Sequence, residues 1–149
     1  MSASCNSLAP ILLVLFAASA AWATDEAGAR PSNEPRVDWM LQCQGCHQAD
    51  GSGAPRSGVP NLVGSVARFL SVPGGREYLV RVPGASGSNL TDSELAAVLN
   101  WMVQTFGPAE HAHAAAPYTT AEVTRVRRPP LTEVEALRAR LLEQLPTQP

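Results

Sequence analysis

Lysine is missing from all 149 residues, so the eleven cations are all arginine and a lysine ring is excluded as a docking surface. Charged residues make up 16% and the formal net charge is −2, which leaves neither the basic face that nucleic acid requires nor the acidic tract of a disordered chain. Aromatics are scarce at 5%, and cysteine and histidine number three each. No cluster of acids and bases stands out along the chain as a catalytic centre. No apolar run reaches the roughly 20 residues that span a bilayer. What remains is 45% hydrophobic content, enough to pack the core of one small domain.

The run that comes nearest to a span, Ala9–Ala23, has the form of a secretory signal. It ends in Ala21-Trp22-Ala23, which predicts cleavage before Thr24, and Ala18-Ser19-Ala20 offers a second site. The alternative is an uncleaved anchor, because the residues before the run carry neither Lys nor Arg. Cys5 precedes the run rather than closing it, which argues against lipid attachment. The expected layout is a signal at 1–23, a flexible leader at 24–34 rich in Ala, Gly, Pro and charge, a globular domain at 35–107, a linker at 108–118 and a helical extension at 119–149.

Within the domain, Pro35 suits a first helical position, and Val37, Trp39, Met40 and Leu41 predict a short helix. Glycines and prolines from Gln48 to Gly64 predict irregular loop. Short helices are expected at Ser65–Leu70 and Arg76–Val82, separated by Pro73-Gly74-Gly75, and a Gly/Ser loop follows. The clearest helix opens on the capping box Thr91-Asp92-Ser93-Glu94 and runs to about Phe106, where Gly107-Pro108 stops it. Leu95, Val98, Leu99, Met102 and Phe106 form its apolar stripe. In the extension, Thr119–Glu122 and Thr132–Glu135 each predict the start of a helix, the second with Val134, Leu137, Leu141 and Leu145 near one face.

Two of the three cysteines and one histidine lie in five consecutive positions, Cys43-Gln44-Gly45-Cys46-His47. Three chemistries use such a set: thiol–disulfide exchange, zinc binding and covalent haem attachment. A redox C-x-x-C belongs at a strand-to-helix turn, and no strand alternation is found nearby. A zinc site needs four ligands, and only His111, His113 and distant carboxylates remain to complete one. Haem accounts for every member. Each thiol adds across a vinyl group, the spacing sets the thiols one helical turn apart, and the next residue offers an imidazole to the iron.

The stretch Cys43-Gln-Gly-Cys-His47-Gln-Ala-Asp-Gly-Ser-Gly53 resembles the C-x-x-C-H-x-x-D-G-x-G of class I monohaem cytochromes c, and the likeness extends over roughly residues 35–107. It implies an all-α cytochrome c fold, with three to five short helices around one haem c held covalently by Cys43 and Cys46 and ligated by His47. Gly58-Val-Pro-Asn-Leu62 resembles the family's G-P-x-L segment. By that match the Pro60 carbonyl orients His47 and Leu62 packs on the porphyrin. Trp39 and Trp101 match the aromatic pair where the family's first and last helices cross.

The chain departs from the family on the opposite face of the haem. The family's loop methionine has no counterpart in Val82–Leu90, and Met40 precedes the attachment site. Three readings stay open: Met102 as sixth ligand, His111 or His113 folding back, or no protein ligand. The expected function is single-electron transfer in the periplasm with a redox protein such as a dehydrogenase or oxidase. It involves no nucleic acid, no enzymatic turnover, and a membrane only if the signal is retained. The alternative is a haem protein whose open sixth site binds small gaseous ligands or has peroxidase-like activity. Arg125, Arg127, Arg128, Arg138 and Arg140 make the extension either a docking element or a helical cover.

Overall fold

Pro35 stands in the first turn of the first helix, where its missing N–H would have found no partner, and its fixed φ suits the helix start. This helix, α1 (Pro35–Gln42), opens the structure, a computed structural model that describes residues 34–146. The expected signal segment and almost all of the leader lie outside the described residues. α1 carries Trp39 to 1% exposure and leaves Met40 and Leu41 facing out. At Cys43 the backbone leaves helical geometry for one residue, and α2 (Gln44–His47) then makes a single turn.

The glycine- and proline-rich stretch that follows is irregular, as expected, with a 3₁₀ turn at Pro55–Ser57 and an isolated bridge between Ala54 and Val59. The helix expected at Ser65–Leu70 is 3₁₀, at Val66–Ser71. α3 (Gly75–Arg81) begins at the Gly74-Gly75 breaker, and the loop expected after it holds the short helix α4 (Pro83–Ser86). No strand occurs among the described residues, and the chain is all-α.

α5 (Asp92–Phe106) is the long helix, and its capping box is formed: the Glu94 amide donates to Thr91 Oγ1 at 3.2 Å and the Thr91 amide to Glu94 Oε2 at 2.7 Å. Its buried Leu95, Val98, Leu99, Val103 and Phe106 face α1, the Val66–Ser71 turn and the extension. Residues 108–118, read from composition as a linker, contain α6 (Ala109–Ala114). Alanine favours the helix, and the 2% exposed Ala112 packs beside Ala67 and Val103.

α7 (Thr120–Val126) lies against α5 and α3, and α8 (Val134–Glu143) against α3. The Thr119 hydroxyl caps α7 by accepting from the Glu122 amide at 3.1 Å. The cap expected from Thr132 is not made: Leu131 is tied to α3 through its amide and the Arg81 carbonyl (3.0 Å), and α8 starts two residues beyond Thr132. Among the described residues no helix is long and apolar enough to cross a membrane.

Candidate functional site

α1 and α2 together deliver Cys43, Cys46 and His47 to one end of a cavity of about 340 Å³. The Cys46 and His47 amides both donate to the Cys43 carbonyl, at 3.2 and 3.0 Å, so the three side chains are carried by a single helical turn. The two thiols are not joined. Gln48 then takes φ +62 and turns the chain into the loop that forms the next wall.

Gly53 joins that loop to the helix turn. Its amide donates to the His47 carbonyl at 2.9 Å, its φ is +69, and a Cβ there would overlap the Pro60 carbonyl. Only glycine lets the backbone at Pro60 come this close to the turn bearing His47. Gly51, at φ +77, leaves the same kind of room for the Phe106 ring and accepts from the Leu62 amide at 2.9 Å. Asp50 closes the turn between them by accepting from the Ser52 amide at 3.0 Å, and its carboxyl is held below the ordinary range by Ser52. The D-G-S-G stretch thus fixes where Pro60 and Leu62 stand relative to His47.

His47 Nδ1 is buried and makes no hydrogen bond. Burial lowers the imidazole pKa, and the Pro60 carbonyl acts the other way. The carbonyl is therefore close enough to attract the ring proton while the geometry falls short of a hydrogen bond. A neutral imidazole is the form that binds a metal. The Cys43 thiol is pushed up to about 11, first by burial and then by Asp38 and Cys46. Redox C-x-x-C pairs depend on a lowered thiol pKa, and the shift at Cys43 runs the other way.

Trp39 is packed against this assembly. Its ring lies 5.8 Å from that of His47, 5.7 Å from Trp101 and 5.1 Å from Phe106, and Trp101 meets Phe106 edge-on at 5.4 Å. These centroid distances fall in the favourable range for aromatic pairs, about 1 kcal/mol each. They tie α1 to the end of α5 behind the His47 turn.

The rest of the lining is mostly apolar. Pro60, Leu62, Val66 and Phe69 form one side, Tyr78, Leu79 and Val82 another, and Leu95, Val98, Leu99 and Met102 present the α5 stripe. The segment Pro83–Ala85, with Ser88 and Leu90, closes a further wall, and Arg138 of α8 reaches the rim. Met102 is half-buried and lines the cavity, whereas His111 and His113 sit on α6 and do not. His113 lines a separate cavity of about 280 Å³ beside Tyr118.

The donor set fits haem c. Two unbridged thiols on one turn, an imidazole whose buried Nδ1 still needs an acceptor, and a deep apolar lining match what a covalently held porphyrin requires. Among the described residues no three His, Cys, Asp or Glu side chains converge to hold a bare metal ion, so a zinc site has no support there.

Two contributions had no clear signal in the sequence. Arg138 belongs to the extension yet lines the cavity, with its guanidinium 5.9 Å from the Phe69 ring centre. Arg127, one of five arginines in a segment read either as a docking element or as a helical cover, is 6% exposed. Its burial depends on the chain folding back over α5, which local composition does not encode.

No model of a known protein family matches the chain. It is 37% identical over 117 residues to cytochrome c-552 of Thermus thermophilus, covering 66% of this chain and 88% of that one. The same identity holds for another cytochrome c-552 of Thermus thermophilus, of which 78% is covered. With the attachment turn, the glycine-shaped loop and the all-α frame already in place, this degree of identity shows that the chain belongs to the class I c-type cytochromes.

Proposed function

We propose that the chain is a periplasmic one-electron carrier that exchanges electrons with a redox protein such as a dehydrogenase or oxidase. The observation that carries this reading is the placing of Cys43, Cys46 and His47 on one turn at the end of a deep apolar cavity. Cys43 and Cys46 would hold haem c through thioether bonds, and His47 would ligate its iron. When bound, haem c supplies a reversible one-electron couple. The Pro60 carbonyl would accept the His47 Nδ1 proton and fix the ring, and Leu62 and the α5 stripe would keep water from the porphyrin faces. The Ala9–Ala23 segment supports export, which c-type attachment requires.

Met102 is the residue on the cavity lining best suited to be a sixth ligand, since the wall segment 82–90 contains neither Met nor His. That same composition favours a second reading, an open sixth position that takes small gaseous ligands. Absorbance of the reduced holoprotein with and without carbon monoxide separates the two. The carrier reading expects a spectrum unmoved by carbon monoxide and a weak far-red band in the oxidised protein that Met102→Ala abolishes. Prompt carbon monoxide binding by the wild type would instead support the open site.

A further inference from the structure

The wall segment Val82–Leu90 has little to fasten it from within. Its own turn bonds, Ser86 N–H to the Val82 carbonyl at 2.9 Å and Gly87 N–H to the Pro83 carbonyl at 2.8 Å, are local. No residue from 82 to 90 carries a sulfur or an imidazole with which to hold a metal. Two glycines, Gly84 and Gly87, add backbone freedom.

The segment is instead gripped from behind by the C-terminal extension. The Arg127 guanidinium donates to the carbonyls of Ser86 (3.2 Å), Ser88 (2.8 Å) and Leu90 (2.7 Å) and to Ser88 Oγ (3.1 Å). It also pairs with Asp92 Oδ1 at 2.9 Å, in the first turn of α5. In return, the fully buried Ser86 donates from Oγ to the Arg127 carbonyl at 2.7 Å. A buried guanidinium is costly unless its donors are satisfied. Here every polar contact it makes falls on the wall segment or the helix start next to it.

We propose that Arg127 is a positioning residue for the cavity: it clamps the wall segment 82–90 from outside the cavity lining and so controls how easily a small ligand passes that wall. The extension is by this account part of the cavity's closure. A planar fork serves three carbonyls and a carboxylate together, which a lysine ammonium does not.

The test is hydrogen exchange on the holoprotein, wild type beside Arg127→Ala, Arg127→Lys and Ser86→Ala, with the rate of imidazole binding to the oxidised form measured on the same samples. Only the imidazole readout rests on the haem reading above. In Arg127→Ala, amide exchange in Gly84–Leu90 should quicken by roughly 10- to 100-fold, while the amides of α1 and of the C-terminal half of α5 keep their protection. Imidazole binding should quicken with it, Arg127→Lys should recover part of both changes, and Ser86→Ala should give a smaller effect of the same kind. Unchanged exchange in 84–90, or a uniform rise that reaches α1 and α5 as strongly, would overturn the clamp. Should Arg127→Ala fail to fold, wild-type exchange in the other two variants would overturn it equally. A chain that takes up no haem contradicts the proposed function and leaves the exchange data to judge the clamp.

Discussion

Gly53 shows how one residue without a side chain can set the geometry of two residues that have them. Its amide holds the His47 carbonyl, and its missing Cβ admits the Pro60 carbonyl. Gly53→Ala should cost about 2–4 kcal/mol, combining a positive φ unsuited to alanine with a backbone overlap that no rotamer relieves. Denaturant unfolding of the holoprotein would measure it, and a loss under about 0.5 kcal/mol would show that Pro60 can move away freely. Cys43, Cys46 and His47 stand out in the sequence because their chemistry and spacing are local, whereas Gly53 appears there only as part of the motif, and its contact with Pro60 is seen in the fold. Arg127 does not stand out: among Arg125, Arg127 and Arg128, only the folded path of the chain buries the middle one and exposes its neighbours.

At the scale of elements, α5 was readable from both ends, since its start is a capping box between residues three apart and its stop is Gly107-Pro108. α8 was readable in place, starting within the expected Thr132–Glu135 stretch, but its Thr132 cap was not, because Leu131 beside it is bonded to Arg81, a contact across 50 residues of sequence. α6 was hidden by an Ala-rich composition that reads as linker until Ala67 and Val103 supply something for Ala112 to pack on. The extension is held to the domain by two ion pairs, Arg76–Glu122 at 2.7 Å and Arg127–Asp92 at 2.9 Å, and Arg76 also lies 4.2 Å over the Tyr118 ring. The Arg76 hydrogen bond holds the Glu122 carboxyl below the ordinary range, and the Arg127 hydrogen bond does the same for Asp92. As pH falls, the unfolded chain therefore binds protons before the folded one does. The stability contributed by these pairs is present above the ordinary carboxylate range and is lost as pH falls below about 4. Amide protection of α7 should decline across that interval before the Trp39–Trp101 contact loosens. Glu122→Gln should flatten the decline while costing about 1 kcal/mol or less at neutral pH. A pH-independent α7 would show that packing alone retains the extension.

Over the whole molecule, two structural layers serve one cavity. The inner layer, from α1 through α5, brings thiols, imidazole and apolar lining together, and the Trp39, Trp101 and Phe106 rings close it where the two ends of that layer meet. The outer layer, α7 and α8, contributes Arg127 behind the wall and Arg138 at the rim. The inner layer was foreseeable from the resemblance, because the motif dictates which segments must converge. The outer one was foreseeable only as helices, since sequence periodicity fixes an apolar face without naming what that face covers. The relatives are matched over 117 residues while only 66% of this chain takes part, so they carry residues inside the match that this chain lacks. Covalent attachment at Cys43 and Cys46 underlies everything said of the cavity, and the intact mass of the protein matured in a host with c-type haem machinery decides whether it occurs. The expected result is a gain of one haem that survives acid and organic extraction and is absent from the Cys43→Ala/Cys46→Ala double variant; haem that extracts freely, or a covalent adduct that persists without both cysteines, would overturn the attachment.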